Sequence, residues 1–115
     1  MILLIVDDNQ QMRRLIRTVV GDLADNISEC SDGEFALAAY AAQRPDWVLM
    51  DIRMERMDGI VATRTIKDTY PEAHVCIVTD YDDAELRVQA HDAGAEDYIV
   101  KEDLLRLRQV LTVAA

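Results

Sequence analysis

Short apolar runs that stop at acids, a hydroxyl or a lysine punctuate the chain, and segments with apolar residues every three or four positions separate them. The first run, Ile2-Leu3-Leu4-Ile5-Val6, is unbroken, as suits a strand covered on both faces, and stops at Asp7-Asp8. Asn9 is then placed to cap a helix whose apolar stripe is Met12, Leu15, Ile16, Val19 and Leu23 and which ends near Asp25. A second strand is expected over residues 27–30. The helix after it starts at Asp32, runs through Phe35, Leu37 and Tyr40, and stops before Pro45. Three further runs follow: Trp47-Val48-Leu49-Met50 closed by Asp51, Val75-Cys76-Ile77-Val78 closed by Thr79 and Asp80, and Tyr98-Ile99-Val100 closed by Lys101. Between them lie helical segments, one capped by Asp58 ahead of Ile60, Ala62 and Ile66, and one capped by Asp82 or Asp83 ahead of Leu86. A last helix carries Leu104, Leu107 and Leu111. Strand and helix thus alternate five times, which predicts an α/β domain with a parallel sheet and helices on both faces.

That order decides where chemistry can sit. Parallel strands joined by right-handed crossovers deliver their C-terminal ends to one edge, where ligands bind in such folds. The residues that close the runs are Asp7, Asp8, Asp51, Thr79 and Lys101, so acids, a hydroxyl and an ammonium are expected on one rim. Carboxylates brought together repel, and a bound cation relieves this. Mg2+ suits an all-oxygen set that includes water and a backbone carbonyl. A carboxylate beside such an ion can attack phosphorus, and Thr79 and Lys101 are of the types that hold the equatorial oxygens in phosphoryl transfer. The plainer alternative is that Asp7 and Asp8 cap a helix, Thr79 only ends a strand, and Lys101 pairs with Glu102 or Glu96. All of these at successive strand ends is a poor fit to that alternative.

Composition narrows the field. The chain has 115 residues, half of them hydrophobic, enough for one core. Four Gly, two Pro and no repeat argue for a single domain over residues 1–115. Twenty-two acids against 12 Lys and Arg give a formal charge of -10, which disfavours direct binding to nucleic acid or anionic lipid. No apolar stretch approaches the roughly 20 residues of a membrane span, and the opening run is wrongly flanked for a signal peptide, so a cytoplasmic setting is expected. Cys30 and Cys76 lack metal or redox spacing and read as small buried hydrophobes; His74 and His91 read as surface residues away from the rim.

Asp7-Asp8, Asp51-Ile52-Arg53-Met54, Met57-Asp58-Gly59, Thr79, Ala93-Gly94-Ala95, Tyr98 and Lys101 together resemble the receiver domains of bacterial response regulators, over nearly the whole chain. The resemblance implies a flavodoxin-like sheet in strand order 2-1-3-4-5, an order that the general rule for doubly wound folds already records for a chemotaxis receiver. It implies phosphorylation of Asp51 by a sensor histidine kinase or a phosphotransfer protein, with Mg2+ held by Asp8, by Asp7 mainly through water, by Asp51 and by the carbonyl of Arg53. Thr79, the Asp80 N–H and Lys101 would bind the phosphoryl group. Thr79 and Tyr98 would form a switch that alters the surface of the fourth helix and fifth strand, and a second copy of the chain is among the partners implied for the phosphorylated form.

Three positions depart from the family pattern: Glu55 and Glu102 stand where many members have Pro, and Asp80 where Ala is frequent. Without Pro the loop after Asp51 has more freedom to lose. The Lys101-Glu102 peptide should be trans, since cis before a non-proline residue costs roughly 2.5 to 4 kcal/mol. The Lys-acid pair is most similar to receivers joined to a LuxR-type DNA-binding effector, and the chain reads either as a stand-alone receiver or as one separated from such an effector. Other functions compete. A phosphatase of the haloacid dehalogenase type wants Asp-x-Asp after its first strand, and a flavin carrier wants a Ser-, Thr- or Gly-rich loop where Asp7-Asp8 stands. A degenerate receiver that binds protein without phosphorylation is the remaining alternative.

Overall fold

The computed structural model describes residues 1–112; Val113 to Ala115, the end of the expected domain, lie outside the described residues. Five parallel strands, β1 (Ile2–Val6), β2 (Asn26–Cys30), β3 (Trp47–Met50), β4 (Val75–Thr79) and β5 (Asp97–Val100), form one sheet in the order β2-β1-β3-β4-β5. Five helices alternate with them: α1 (Gln10–Val20), α2 (Ala36–Gln43), α3 (Gly59–Thr69), α4 (Ala84–Ala93) and α5 (Arg106–Thr112). This is the flavodoxin-like arrangement, with the order reversing between β1 and β3.

The unbroken apolar runs are explained by burial on both faces. On β1, Leu4 and Val6 join a core with Ala36, Tyr40 and Ile66 of α2 and α3, while Leu3 and Ile5 join a second core with Ile16 of α1 and Leu107 and Leu111 of α5. These four of the five β1 side chains are fully buried; at roughly 1.5 to 3 kcal/mol each, they tie both helical layers to the centre of the sheet.

Local signals fix the helix starts. The Asn9, Asp58 and Asp83 side chains accept N–H bonds from Met12, from Ile60 and Val61, and from Leu86, so Asp83 rather than Asp82 caps α4. Gly94 ends α4 at φ 109, a left-handed conformation that suits glycine.

Two details differ from the periodicity. Leu15 is 47% exposed and Val20 takes its place in the core, because both flank the stripe through Ile16 and spacing alone does not choose between them. Phe35 is 49% exposed, since residues Gly33–Phe35 form a 3-10 turn whose tighter winding puts it out of phase with α2. Cys76 is buried as expected, and burial pushes its thiol pKa up. Cys30 is only half-buried, at the edge strand β2. His74 and His91 are exposed, and His74 meets Glu96.

Candidate functional site

Four of the five strands supply groups at the sheet's C-terminal edge. Asp7 and Asp8 follow β1, Asp51 follows β3, Thr79 ends β4 and Lys101 follows β5. Asp7, Asp8 and Asp51 each bring a carboxylate oxygen within 4.8 Å of the others. Lys101, whose side chain is 9% exposed, places Nζ 3.0 Å from Asp7, 3.4 Å from Asp51 and 3.8 Å from Asp80. It pairs with neither Glu102 nor Glu96, and the peptide between Lys101 and Glu102 is trans.

Burial and like charge dominate the electrostatics. Desolvation and the neighbouring Asp7 raise the Asp51 pKa to about 7, against the pull of Lys101. Burial alone would lower the pKa of Lys101; Asp51, Asp7 and Asp80 outweigh it and hold the ammonium above its ordinary value. Asp7 Oδ1 accepts the Asn9 N–H, but buried Oδ2 has the Lys101 ammonium near it without an aligned hydrogen bond. Crowded carboxylates, one of them with a buried oxygen that has no aligned hydrogen bond, form an acidic cluster that could bind a metal. His74 and His91 stand outside the cluster, so the donors are hard oxygens that suit Mg2+ better than a softer ion.

Backbone packing sets the positions of these groups. Asp51 N–H donates to Val6 O, and Gly59 N–H donates to Ile52 O across the base of the β3–α3 loop. A Cβ on Gly59 would lie 1.8 Å from Asp51 O, so only glycine lets α3 start against the end of β3. The Arg13 guanidinium donates to Asp7 O at 2.6 Å and to Glu29 at 2.8 Å, which fastens the β1–α1 loop to β2. Arg13 lies on the polar side of its helix, and its proximity to Asp7 and Glu29 carries no pattern in the sequence. Asp32 is 5% exposed and accepts N–H bonds from Glu34, Arg56 and Met57. Burial would raise its pKa, but these bonds outweigh that and hold it below the usual carboxylate range. The loop after Asp51, which lacks Pro at position 55, is therefore held from outside. Asp32 was legible as the start of a helix, but not as a partner of this loop.

The remaining rim residues link the site to a surface. Thr79 is buried and its hydroxyl oxygen accepts the Tyr81 N–H at 3.3 Å, while Tyr98 OH donates to Tyr81 O at 2.6 Å. The Tyr81 backbone thus stands between Thr79 and Tyr98. Tyr98 is packed under the Arg87 guanidinium, 4.5 Å from the ring centroid, and Arg87 also meets Asp82 at 3.0 Å. Arg53 lies two residues past Asp51, with its guanidinium 5.3 Å from the Tyr81 ring centroid. Asp80 lies at the rim, with its side chain 72% exposed.

This arrangement of acids and lysine on a 2-1-3-4-5 sheet matches known proteins. A family model described as "Response regulator receiver domain" covers residues 3–112. The chain belongs to this family. It is a receiver domain of a response regulator in two-component signalling, the class whose members interact with histidine kinases or phosphotransfer proteins. A curated relative, response regulator MprA of Mycolicibacterium vanbaalenii, is 34% identical over 114 residues, 95% of this chain and 49% of its own length. The chain therefore spans about half the length of the curated relatives it matches. A solved LuxR-family two-component response regulator from Aurantimonas sp. SI85-9A1 is 28% identical, with TM-score 0.88 and coverage of 96% of this chain and 84% of its own. A solved CheX-CheY-BeF3-Mg2+ complex from Borrelia burgdorferi contains a chain 27% identical, with TM-score 0.86 and coverage of 97% and 87%. Among the described residues, no helix is long and apolar enough to cross a membrane.

Proposed function

We propose that residues 1–115 form one receiver domain that accepts a phosphoryl group on Asp51 with Mg2+ bound beside it. The observation that carries this reading is the sharing of one ammonium, Lys101, by Asp7, Asp51 and Asp80 at the sheet edge, where the buried Asp7 Oδ2 has no aligned donor besides that shared charge. Asp7, Asp8, Asp51 and the Arg53 carbonyl would hold Mg2+, which when bound neutralises carboxylate and phosphoryl charge. The complex of the Borrelia protein with BeF3 and Mg2+ supports that choice of ion.

Asp51 attacks phosphorus as the carboxylate. One Asp51 oxygen forms the new bond and the donor leaves with the electrons of the old one, as imidazole from a phosphohistidine or as acetate from acetyl phosphate. Lys101 moves its charge from the carboxylates to a phosphoryl oxygen, while the Thr79 hydroxyl and the Asp80 N–H donate to the others. To do so Thr79 turns away from the Tyr81 N–H, which frees the segment that holds the Tyr98 hydroxyl. Tyr98 then repacks, and the surface formed by α4 and β5 changes. A histidine kinase or phosphotransfer protein supplies the phosphoryl group in a cytoplasmic setting. The reader of the altered surface is a DNA-binding effector of the LuxR type or a second copy of the chain.

Incubation with acetyl phosphate and MgCl2 followed by intact mass tests this reading. The mass should rise by one phosphoryl group, and EDTA should prevent the gain. An unchanged mass would favour a degenerate receiver that binds protein without phosphorylation.

A further inference from the structure

The loop between β3 and α3, residues 51–58, has no regular secondary structure, yet it must present the Arg53 carbonyl to the site. It carries the exposed charged residues Arg53, Glu55 and Arg56; Ile52 at its start is buried in the core, and beyond it only Met54 and Met57 pack against that core. Its own hydrogen bonds sit at its two ends, where Gly59 N–H meets Ile52 O and Asp58 caps α3. The part between is held by a residue 24 positions earlier. Asp32 Oδ2 accepts the Arg56 N–H at 2.9 Å, and Oδ1 accepts the Met57 N–H at 3.1 Å together with the Glu34 N–H at 2.9 Å. Bonds from N–H groups to an ionised acceptor are the stronger kind, and the burial of the Asp32 carboxylate limits the competition of water for them. The corner is also in direct contact with the loop, since a Cβ on Gly33 would lie 2.6 Å from Met57 O. The ion pair of Glu34 with Arg56, 3.1 Å apart, is exposed and adds little.

We propose that Asp32 is a positioning residue for the metal site: its buried carboxylate fixes the backbone at Arg56 and Met57, hence the Arg53 carbonyl, and so sets the affinity for Mg2+. The inference rests on the reading of the site given above. It assigns to β2, which supplies no ligand, control over the loop that does. Asp32 does the work that a rigid residue at position 55 would otherwise share, and it does so from outside the loop, at the cost of a dependence on the β2–α2 corner.

The test separates this role from helix capping. In Asp32→Asn the remaining carbonyl oxygen can keep the Glu34 and Met57 bonds, and Asn is as good a cap as Asp, but an NH2 group now faces the Arg56 N–H. MgCl2 titration followed by backbone amide NMR should give an affinity about tenfold weaker than in the unaltered chain, the size expected when an outer-shell partner of a metal site is lost. The Arg56 amide should exchange faster with solvent, and labelling by acetyl phosphate at saturating Mg2+ should return to within about twofold of the unaltered rate. Gly33→Ala, which pushes on Met57 O from the same corner, should weaken Mg2+ in the same direction and carries the test if Asp32→Asn does not fold. Unchanged Mg2+ affinity in the folded variant, or a rate loss that saturating Mg2+ leaves in place, overturns the positioning role alone. Failure of the unaltered chain to bind Mg2+ overturns the reading of the site, and this inference with it.

Discussion

Asp51→Asn should make the metal-free protein more stable at pH 8, and the gain should vanish as the pH falls. Burial and Asp7 raise the Asp51 pKa from 3.8 to about 7 in the folded chain. Below about pH 4 the group is protonated in both folded and unfolded chains, and the preference of the fold for the neutral acid is fully expressed. Between there and pH 7 the unfolded chain releases its proton while the folded chain keeps it, so stability falls as pH rises, and above the folded pKa the loss is complete. At about 1.4 kcal/mol per unit, the raised pKa corresponds to no more than about 4 kcal/mol. Solvent at the mouth of the site screens part of this and leaves about 2 kcal/mol. For a domain of this size that is a rise in Tm of roughly 5 to 10 °C. Asn imitates the neutral acid, so thermal unfolding in EDTA should place the variant above the unaltered chain at pH 8, with the difference closing toward pH 4. Added MgCl2 should narrow the gap at pH 8 by stabilising the unaltered chain selectively. A variant that melts at or below the unaltered chain at pH 8 in EDTA would refute the argument, because it would mean that Lys101 already compensates the carboxylate.

Gly59→Ala should destabilise by about 3 kcal/mol or leave the chain unfolded in denaturant titration, because its Cβ would overlap Asp51 O and the end of β3 has no room to yield. Asp8→Asn should weaken Mg2+ at least about tenfold while shifting the midpoint of thermal unfolding little, since Asp8 is exposed; an unaltered MgCl2 titration would remove Asp8 from the ligand set. Asp80→Asn should speed labelling by acetyl phosphate at saturating Mg2+ by roughly five- to thirtyfold at low salt, since a charge about 8 Å from the donor at an effective dielectric of roughly 40 costs about 1 kcal/mol for each of the donor's one to two charges. The advantage should shrink as salt rises, and equal or slower labelling at low salt would mean that Asp80 does not repel the donor.

Much of the fold could be read from the chain because its elements advertise themselves locally. Unbroken runs such as Leu3 to Val6 mark strands covered on both faces, and Asn9, Asp58 and Asp83 mark helix starts. The rim residues were legible for the same reason, each standing where an apolar run stops. The strand order was not visible in the pattern and came with the resemblance. Phase was the weakest signal, which is why Leu15 and Val20 exchanged roles and Phe35 came out exposed. Contacts between distant residues left no trace. Arg13 reaches Glu29 and the Asp7 carbonyl, and Asp32 reaches Arg56 and Met57, through the packing of β2 beside β1 and against the β3–α3 loop. Nor does spacing show that Lys101 meets Asp7, because only the alignment of β1 and β5 on opposite sides of β3 and β4 brings them to one edge.

Phosphorylation of Asp51 is tested most simply by finding where the phosphoryl group goes. After reaction with acetyl phosphate and MgCl2, borohydride reduction converts an aspartyl phosphate to homoserine, and peptide mass mapping then locates it. Homoserine is expected at position 51 alone, and none when EDTA is present or in Asp51→Asn; homoserine at Asp7, Asp8 or Asp80, or none at any position, would mean that Asp51 is not the phosphoacceptor.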